Sequence, residues 1–142
     1  MNTDPSGLFL DTNILVYAFD AKAGNKHALA KRWIAGFWRN PCQPHLSVQV
    51  LQEFHVTLVR KGCAIKQSAA LVDDFLAWPV VANTPLLVRS ALAIQQRFNI
   101  SYWDSSIIAA ARGSGCERLW SEDLNPGQNH GGVTVVNPFV ES

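Results

Sequence analysis

The sequence predicts an α/β fold: a small parallel sheet of about four to five strands sandwiched by helices in three layers. Three observations carry that expectation. Short apolar runs alternate with longer segments of helical periodicity. Helical segments outnumber strand segments, which keeps the sheet small. Two of the short runs, Leu8 to Leu10 and Glu117 to Trp120, lead into acidic residues at what would be strand ends. The crossovers between such strands should be right-handed.

The 142 residues match one ordinary domain, 1–142, large enough to bury a core without staples. Hydrophobic residues make up 48% and charged residues 16%, a globular composition. A net charge of +1 excludes a strongly basic coat-type or histone-type nucleic-acid binder. It does not exclude a nuclease, which can hold phosphates partly through metal ions. Three cysteines, Cys42, Cys63 and Cys116, show no Cys-x-x-Cys spacing. They imply small buried residues in a reducing compartment, with neither a disulfide framework nor a zinc site. The polar start, Met1 to Ser6, followed by an apolar run broken at Asp11, implies no signal peptide or membrane span. The expected location is cytoplasmic.

In chain order, Leu8 to Leu10 is a buried strand, and a helix begins near Asn13 and runs through Ile14 to Phe19. Asp20 to Asn25 is a loop. His27 to Trp38 is an amphipathic helix, with Lys31 and Arg32 towards water, closed by Asn40-Pro41. Pro44 to Ser47 is a short bridge or small strand, and Ser47 caps a helix from about Val48 to Lys61. Ile65 to Trp78 is a further helix and Val80 to Ala82 a brief strand. Thr84-Pro85 starts a helix that Asn99 closes. Ser101 caps another that reaches Arg112 before Gly113-Ser114-Gly115. Glu117 to Trp120 is a strand, Asn125 to Gly132 a turn-rich loop, and Val133 to Val136 the last strand.

Among the acidic residues, Asp4, Asp20, Asp73, Asp74, Glu117 and Glu141 read as solvated charges. Four others stand out. Asp11 interrupts an apolar stretch, where a bare carboxylate is costly unless it is hydrogen-bonded, paired or metal-bound. It also suits a helix N-cap. Strand C-terminal ends are where open α/β sheets place ligands. Asp123 follows its own strand in the same way, although Ser-Glu-Asp before Asn-Pro-Gly is equally turn chemistry. Asp104 fits a capping box, yet it shares a helical face with Ile107, Ile108 and Ala111. Glu53, near Gln49, Gln52 and Arg60, reads from periodicity as a solvated helix position. Carboxylates gathered in one cleft repel one another unless pKa values rise or cations bind. Oxygen-only donors favour Mg²⁺ or Mn²⁺, and such ions suit phosphodiester hydrolysis.

The segments Asp11-Thr12-Asn13, Val50-Leu51-Gln52-Glu53-Phe54, Tyr102-Trp103-Asp104 and Leu119 to Asn125 together resemble the PIN domain family. The closer resemblance is to the VapC-type toxin ribonucleases of bacterial toxin–antitoxin pairs, and it runs through Val135 to Phe139. The resemblance implies that Asp11, Glu53, Asp104 and Asp123 are metal-binding, catalytic acids. Glu53 enters the site on this ground alone. Thr12, Asn13 and Ser121 would support them; the family often has Thr where this chain has Ser121. It further implies RNA cleavage with Mg²⁺ or Mn²⁺, a homodimer, and silencing by a cognate antitoxin on a separate chain.

Two other functions compete. A haloacid-dehalogenase-type phosphatase would use Asp11 as nucleophile, but it wants a second Asp where Asn13 stands and a downstream Lys, and no Lys follows Lys66. A non-catalytic binding module would use Trp33, Phe37 and Trp38 as an aromatic docking surface.

Overall fold

A computed structural model describes residues 1–140; Glu141, read above as a solvated charge, lies outside the described residues. Strand β1 (Leu8–Leu10) leads into helix α1 (Thr12–Phe19), and a short 3₁₀ turn (Ala21–Ala23) precedes α2 (Asn25–Arg39). Then come β2 (Leu46–Ser47), α3 (Val48–Arg60), α4 (Ile65–Phe75), β3 (Val80–Val81), α5 (Pro85–Phe98) and α6 (Tyr102–Gly113). Strands β4 (Arg118–Trp120), β5 (Asn129–His130) and β6 (Val133–Val136) close the chain.

The main sheet has the order β1-β4-β6-β5, and helices cover it in a three-layer α/β/α arrangement. β1, β4 and β6 are parallel. β5 pairs antiparallel with β6, so the sheet is mixed. The turn-rich segment expected as a loop between Asn125 and Gly132 thus contains an edge strand. Gly131 and Gly132, with φ of 65° and 102°, make the tight reversal that pairs Asn129 with Thr134. β2 and β3 form a separate parallel pair. His45 ties that pair to β1: its N–H donates to the Leu8 carbonyl (2.8 Å), and its own carbonyl accepts from Leu10 N–H (3.1 Å).

Every residue of β1 is buried, as a strand covered on both faces requires. The helix signals act as their chemistry dictates. Ser47, Thr84 and Ser101 each accept a backbone N–H at the start of their helices. Asn99 ends α5 in the left-handed conformation, φ 53°. Helices α2 and α4 differ from expectation by a few residues at their ends, since Asn25 already belongs to α2 and α4 stops at Phe75.

The aromatic residues of α2 that the binding-module reading would use are mostly core. Phe37 is buried and packs on Trp78 and Trp120, while Trp33 is half-buried against Trp120 (ring centroids 5.0 Å apart) and Phe139. Only Trp38 of the three is exposed. The cysteines also diverge from expectation: all three are free, but Cys116 alone is buried and Cys42 is exposed. Among the described residues, no helix is long and apolar enough to cross a membrane.

Candidate active site at the strand ends

The register of the sheet decides what meets at its C-terminal edge. Leu10 lies opposite Trp120, and Trp120 lies opposite Val136. One step further, Asp11 therefore faces Ser121. Asp11 N–H still donates to the Trp120 carbonyl (3.0 Å), and Ser121 N–H to that of Val136 (3.0 Å). The Ser121 hydroxyl then donates to Asp11 Oδ2 at 2.7 Å. The direct strand-end counterpart of Asp11 is thus Ser121, and Asp123 arrives through the following turn.

Asp11 is an N-cap as well as a strand-end acid, its Oδ1 accepting from Thr12 N–H at 2.7 Å. It is buried, with 6% of its surface exposed. Burial is the main cause that pushes its carboxyl up to about 6. Hydrogen bonds from Ser121 and Thr12 oppose that rise, and the charges of Asp123 and Glu53 add to it. Its hydrogen-bond donors, Thr12 N–H and the Ser121 hydroxyl, are both neutral.

Two polar clamps hold the neighbouring acids. In the first, Ser121 Oγ accepts from Asp123 N–H (3.1 Å), and the Asn13 amide nitrogen donates to Asp123 Oδ2 (3.0 Å). In the second, the Thr12 hydroxyl donates to Glu53 Oε2 at 2.7 Å, and the Gln49 amide donates to Glu53 Oε1 at 2.9 Å. Periodicity alone placed Glu53 towards solvent. The close packing of α3 on α1 brings it beside Thr12 instead. Thr12, Asn13, Glu53 and Asp123 line one open cleft of about 540 Å³, which Arg60 and Lys61 also line.

Asp104 sits half-buried in the first turn of α6, where the Ser101 hydroxyl accepts its N–H (3.1 Å). Ile107, Ile108 and Ala111 on the same face are buried, as the spacing implied. Its carboxylate makes no hydrogen bond or ion pair among the described residues, and it does not line the cleft. Its turn is nevertheless tied in: the buried Gln49 amide that holds Glu53 also lies 3.4 Å from the Trp103 carbonyl. Among the described residues, no three His, Cys, Asp or Glu side chains are grouped closely enough to hold a metal ion. Glu53 and Asp123 lie near enough to Asp11 for their charges to act on it, while Asp104 stays outside the cleft.

Sequence reasoning missed Gln49 and Glu122. Gln49 lies one turn before Glu53, a spacing that could have flagged it. Glu122 anchors the Ser121–Asp123 turn to α1 and α2, through the Tyr17 hydroxyl (2.5 Å) and an ion pair with Lys26. Burial raises the Glu122 carboxyl, but Lys26 and Tyr17 outweigh it and hold it below the usual value. Tyr17 in turn is pushed up to about 12, first by burial and then by Glu122. No sequence spacing signals these partners, which lie about a hundred residues apart.

Strand order, helix layers and a buried aspartate at the C-terminal edge of β1 define an α/β domain of the strand-end-site class. The chain belongs to the PIN domain family, whose profile matches residues 8–127. It is similar in fold to VapC20 of Mycobacterium tuberculosis, described as a sarcin-ricin loop cleaving toxin. That match has 24% identity and a TM-score of 0.64, and it covers 82% of this chain and 89% of the other. It is also similar to a chain of a toxin–antitoxin complex from Klebsiella pneumoniae, with 20% identity and a TM-score of 0.66 over 92% of this chain and 96% of the other. No curated protein sequence matches it significantly.

Proposed function

We propose that the chain, as a single domain over 1–142, is a metal-dependent endoribonuclease and the toxin of a toxin–antitoxin pair. Asp11, Glu53, Asp104 and Asp123 are its catalytic, metal-binding acids, and Thr12, Asn13 and Ser121 support them. The observation that carries this reading is Asp11: a buried carboxylate with neutral donors only, raised to about 6, next to two further acids. A carboxylate so placed is stabilised either by a proton or by a cation.

The donor set fits Mg²⁺ or Mn²⁺, being all oxygen with no cysteine or histidine among the four acids. Mg²⁺ binds through one or two carboxylates and keeps several waters, so three clustered side chains are not required. When bound, such an ion supplies charge neutralisation for the phosphate and a more acidic water. The chain's own residues do the placing. Ser121 and Thr12 fix the two oxygens of Asp11. Thr12 and Gln49 fix those of Glu53, and Asn13 orients Asp123. Asp104, in the first turn of α6, has its charge favoured by the helix dipole.

The structural neighbours named above support the toxin reading, and the toxin–antitoxin complex supports a cognate antitoxin on a separate chain; a homodimer and a cytoplasmic location belong to the same proposal. The phosphatase reading loses ground to the family membership and to Asn13, which serves as a hydrogen-bond donor to Asp123. The binding-module reading loses most of its surface, since Trp33 and Phe37 are committed to the core.

The test is RNA cleavage by the wild type, Asp11→Asn and Asp104→Asn, each with Mg²⁺, Mn²⁺ and EDTA. Cleavage that requires the ion and is lost in both variants is expected. Chelation-resistant cleavage, or full activity in either variant, would overturn the proposal.

A further inference from the structure

The cleft beside Asp11 is lined by charges of both signs, Glu53 and Asp123 together with Arg60 and Lys61. One face of α3 carries charges of both signs: Glu53, Val56, Thr57 and Arg60 follow at three-, four- and seven-residue steps, so they form a continuous stripe. Seven residues of helix span about 10 Å.

The two cations differ in what they already do. Lys61 is paired with Asp20 at 3.2 Å. Asp20 also accepts from Lys22 N–H, and both contacts with the lysines help hold its carboxyl below the usual value. Arg60 is exposed and has no ion-pair partner among the described residues. It also lies in the last turn of α3, where its charge is favoured by the helix dipole. An arginine there presents a planar fork of donors suited to a phosphate.

We propose that the Arg60 end of this stripe is a phosphate subsite for the RNA strand that flanks the bond being cut. The inference rests on the ribonuclease reading given above. Stacked nucleic acid carries one charge per about 3.4 Å of each strand. A span of about 10 Å therefore corresponds to about three nucleotides, and to fewer in an extended strand. The acids repel phosphates unless a cation is bound. The strand therefore needs a separate anchor, and Arg60 supplies one that is independent of any ion. Thr57, half-buried between Glu53 and Arg60 in that stripe, offers the passing strand a hydroxyl, and Val56 an apolar contact.

The test is fluorescence anisotropy of a labelled single-stranded RNA on the full chain in Mg²⁺, with Asp11→Asn as the parent to prevent turnover. Titrations at several salt concentrations give the affinity and the salt slope. Adding Arg60→Ala should weaken binding about tenfold at low salt and flatten the log–log slope by about 0.7, the value for one phosphate contact on a single strand. Arg60→Lys should keep the slope and recover part of the affinity. Arg89→Ala, on the exposed side of α5 and outside the cleft, should leave both unchanged. An Arg60→Ala titration that overlays the parent overturns the subsite and leaves the nuclease reading standing. So does an equal loss in Arg89→Ala, which would mark the effect as general surface charge. A parent that binds no RNA overturns the subsite, whose anchor is independent of any ion, and leaves the nuclease reading to the cleavage assay on the wild type. Circular dichroism of each variant must overlay the parent, so that a lost slope reports the contact and not the fold.

Discussion

Trp120 and Ser121 are neighbours in the chain, yet they face two differently built regions. Trp120 is fully buried in an aromatic wall with Trp33 and Phe37, and Phe75, Trp78 and Trp38 continue that wall across α2 and α4. Its contacts are edge-on and tilted ring pairs, which add to the burial of large apolar surface. Ser121 faces Asp11 and the second acidic turn. There the side chain is held by directional hydrogen bonds, and the central group is a carboxylate that burial disfavours. The wall is a source of stability. The edge consumes some of it to keep a charged group dry. Strained or costly groups of this kind persist at sites where they are used.

Breaking the wall should give the largest effect. Trp120→Ala is expected to cost about 3–5 kcal/mol of unfolding free energy, measured by chemical denaturation. A loss under about 1 kcal/mol would mean the wall is not the stabilising half.

The edge should respond with the opposite sign. With no divalent ion, Asp11→Asn is expected to stabilise the fold at pH 7 by about 3 kcal/mol, from a rise of 3.8 to about 6 at 1.36 kcal/mol per unit. The sign follows from proton linkage. Folding raises this acid, so the folded state binds the proton more readily, and lowering the pH favours folding. The wild-type penalty is full above about pH 6, declines between about 6 and 3.8, and is absent below. The stability difference between Asp11→Asn and wild type should shrink over that window. A difference that is flat with pH would contradict the burial account. Acidic residues elsewhere whose values are held low, such as Glu122, lose stability on acidification, which is why the difference is the quantity to follow.

A finer comparison is within the edge. Gln49→Leu should leave Glu53 Oε1 unpaired and weaken Mn²⁺ binding by about 10–100-fold, the usual loss when the partner of a metal ligand is removed. Excess Mn²⁺ should restore cleavage. Loss of activity that no Mn²⁺ concentration restores would make Gln49 a folding residue only. The smallest effect is expected from Tyr17→Phe, which removes one hydrogen bond to a charged group. It should cost about 1 kcal/mol, since Glu122 keeps Lys26 as a partner, and loosen the Ser121–Asp123 turn. An unchanged melting curve would show that Lys26 alone holds Glu122.

The same two regions show what the sequence made legible. The edge was partly legible, because a carboxylate inside Leu8 to Phe19 needs a partner, whether as the N-cap it also is or as a site acid, and the capping residues marked where helices start. The wall was left open between core and docking surface: aromatics on an amphipathic helix look alike whether they meet a partner or the chain's own Trp120 and Phe139. Glu53 was invisible to periodicity because its position depends on how α3 packs against α1. The β5 strand was hidden in turn residues, since two paired residues between glycines leave no period to detect. Gln49 and Glu122 act through partners that only the packed chain defines.

The most direct measurement of the central claim is Mn²⁺ binding by titration calorimetry, paired with thermal unfolding, for wild type and Asp11→Asn. The account predicts saturable binding by the wild type. Unfolding should shift upward by an amount equivalent to about 2.7 kcal/mol at a hundred times the dissociation constant. Asp11→Asn should show little of either. A wild type that neither binds nor is stabilised, or an Asp11→Asn protein that does both equally, would contradict it.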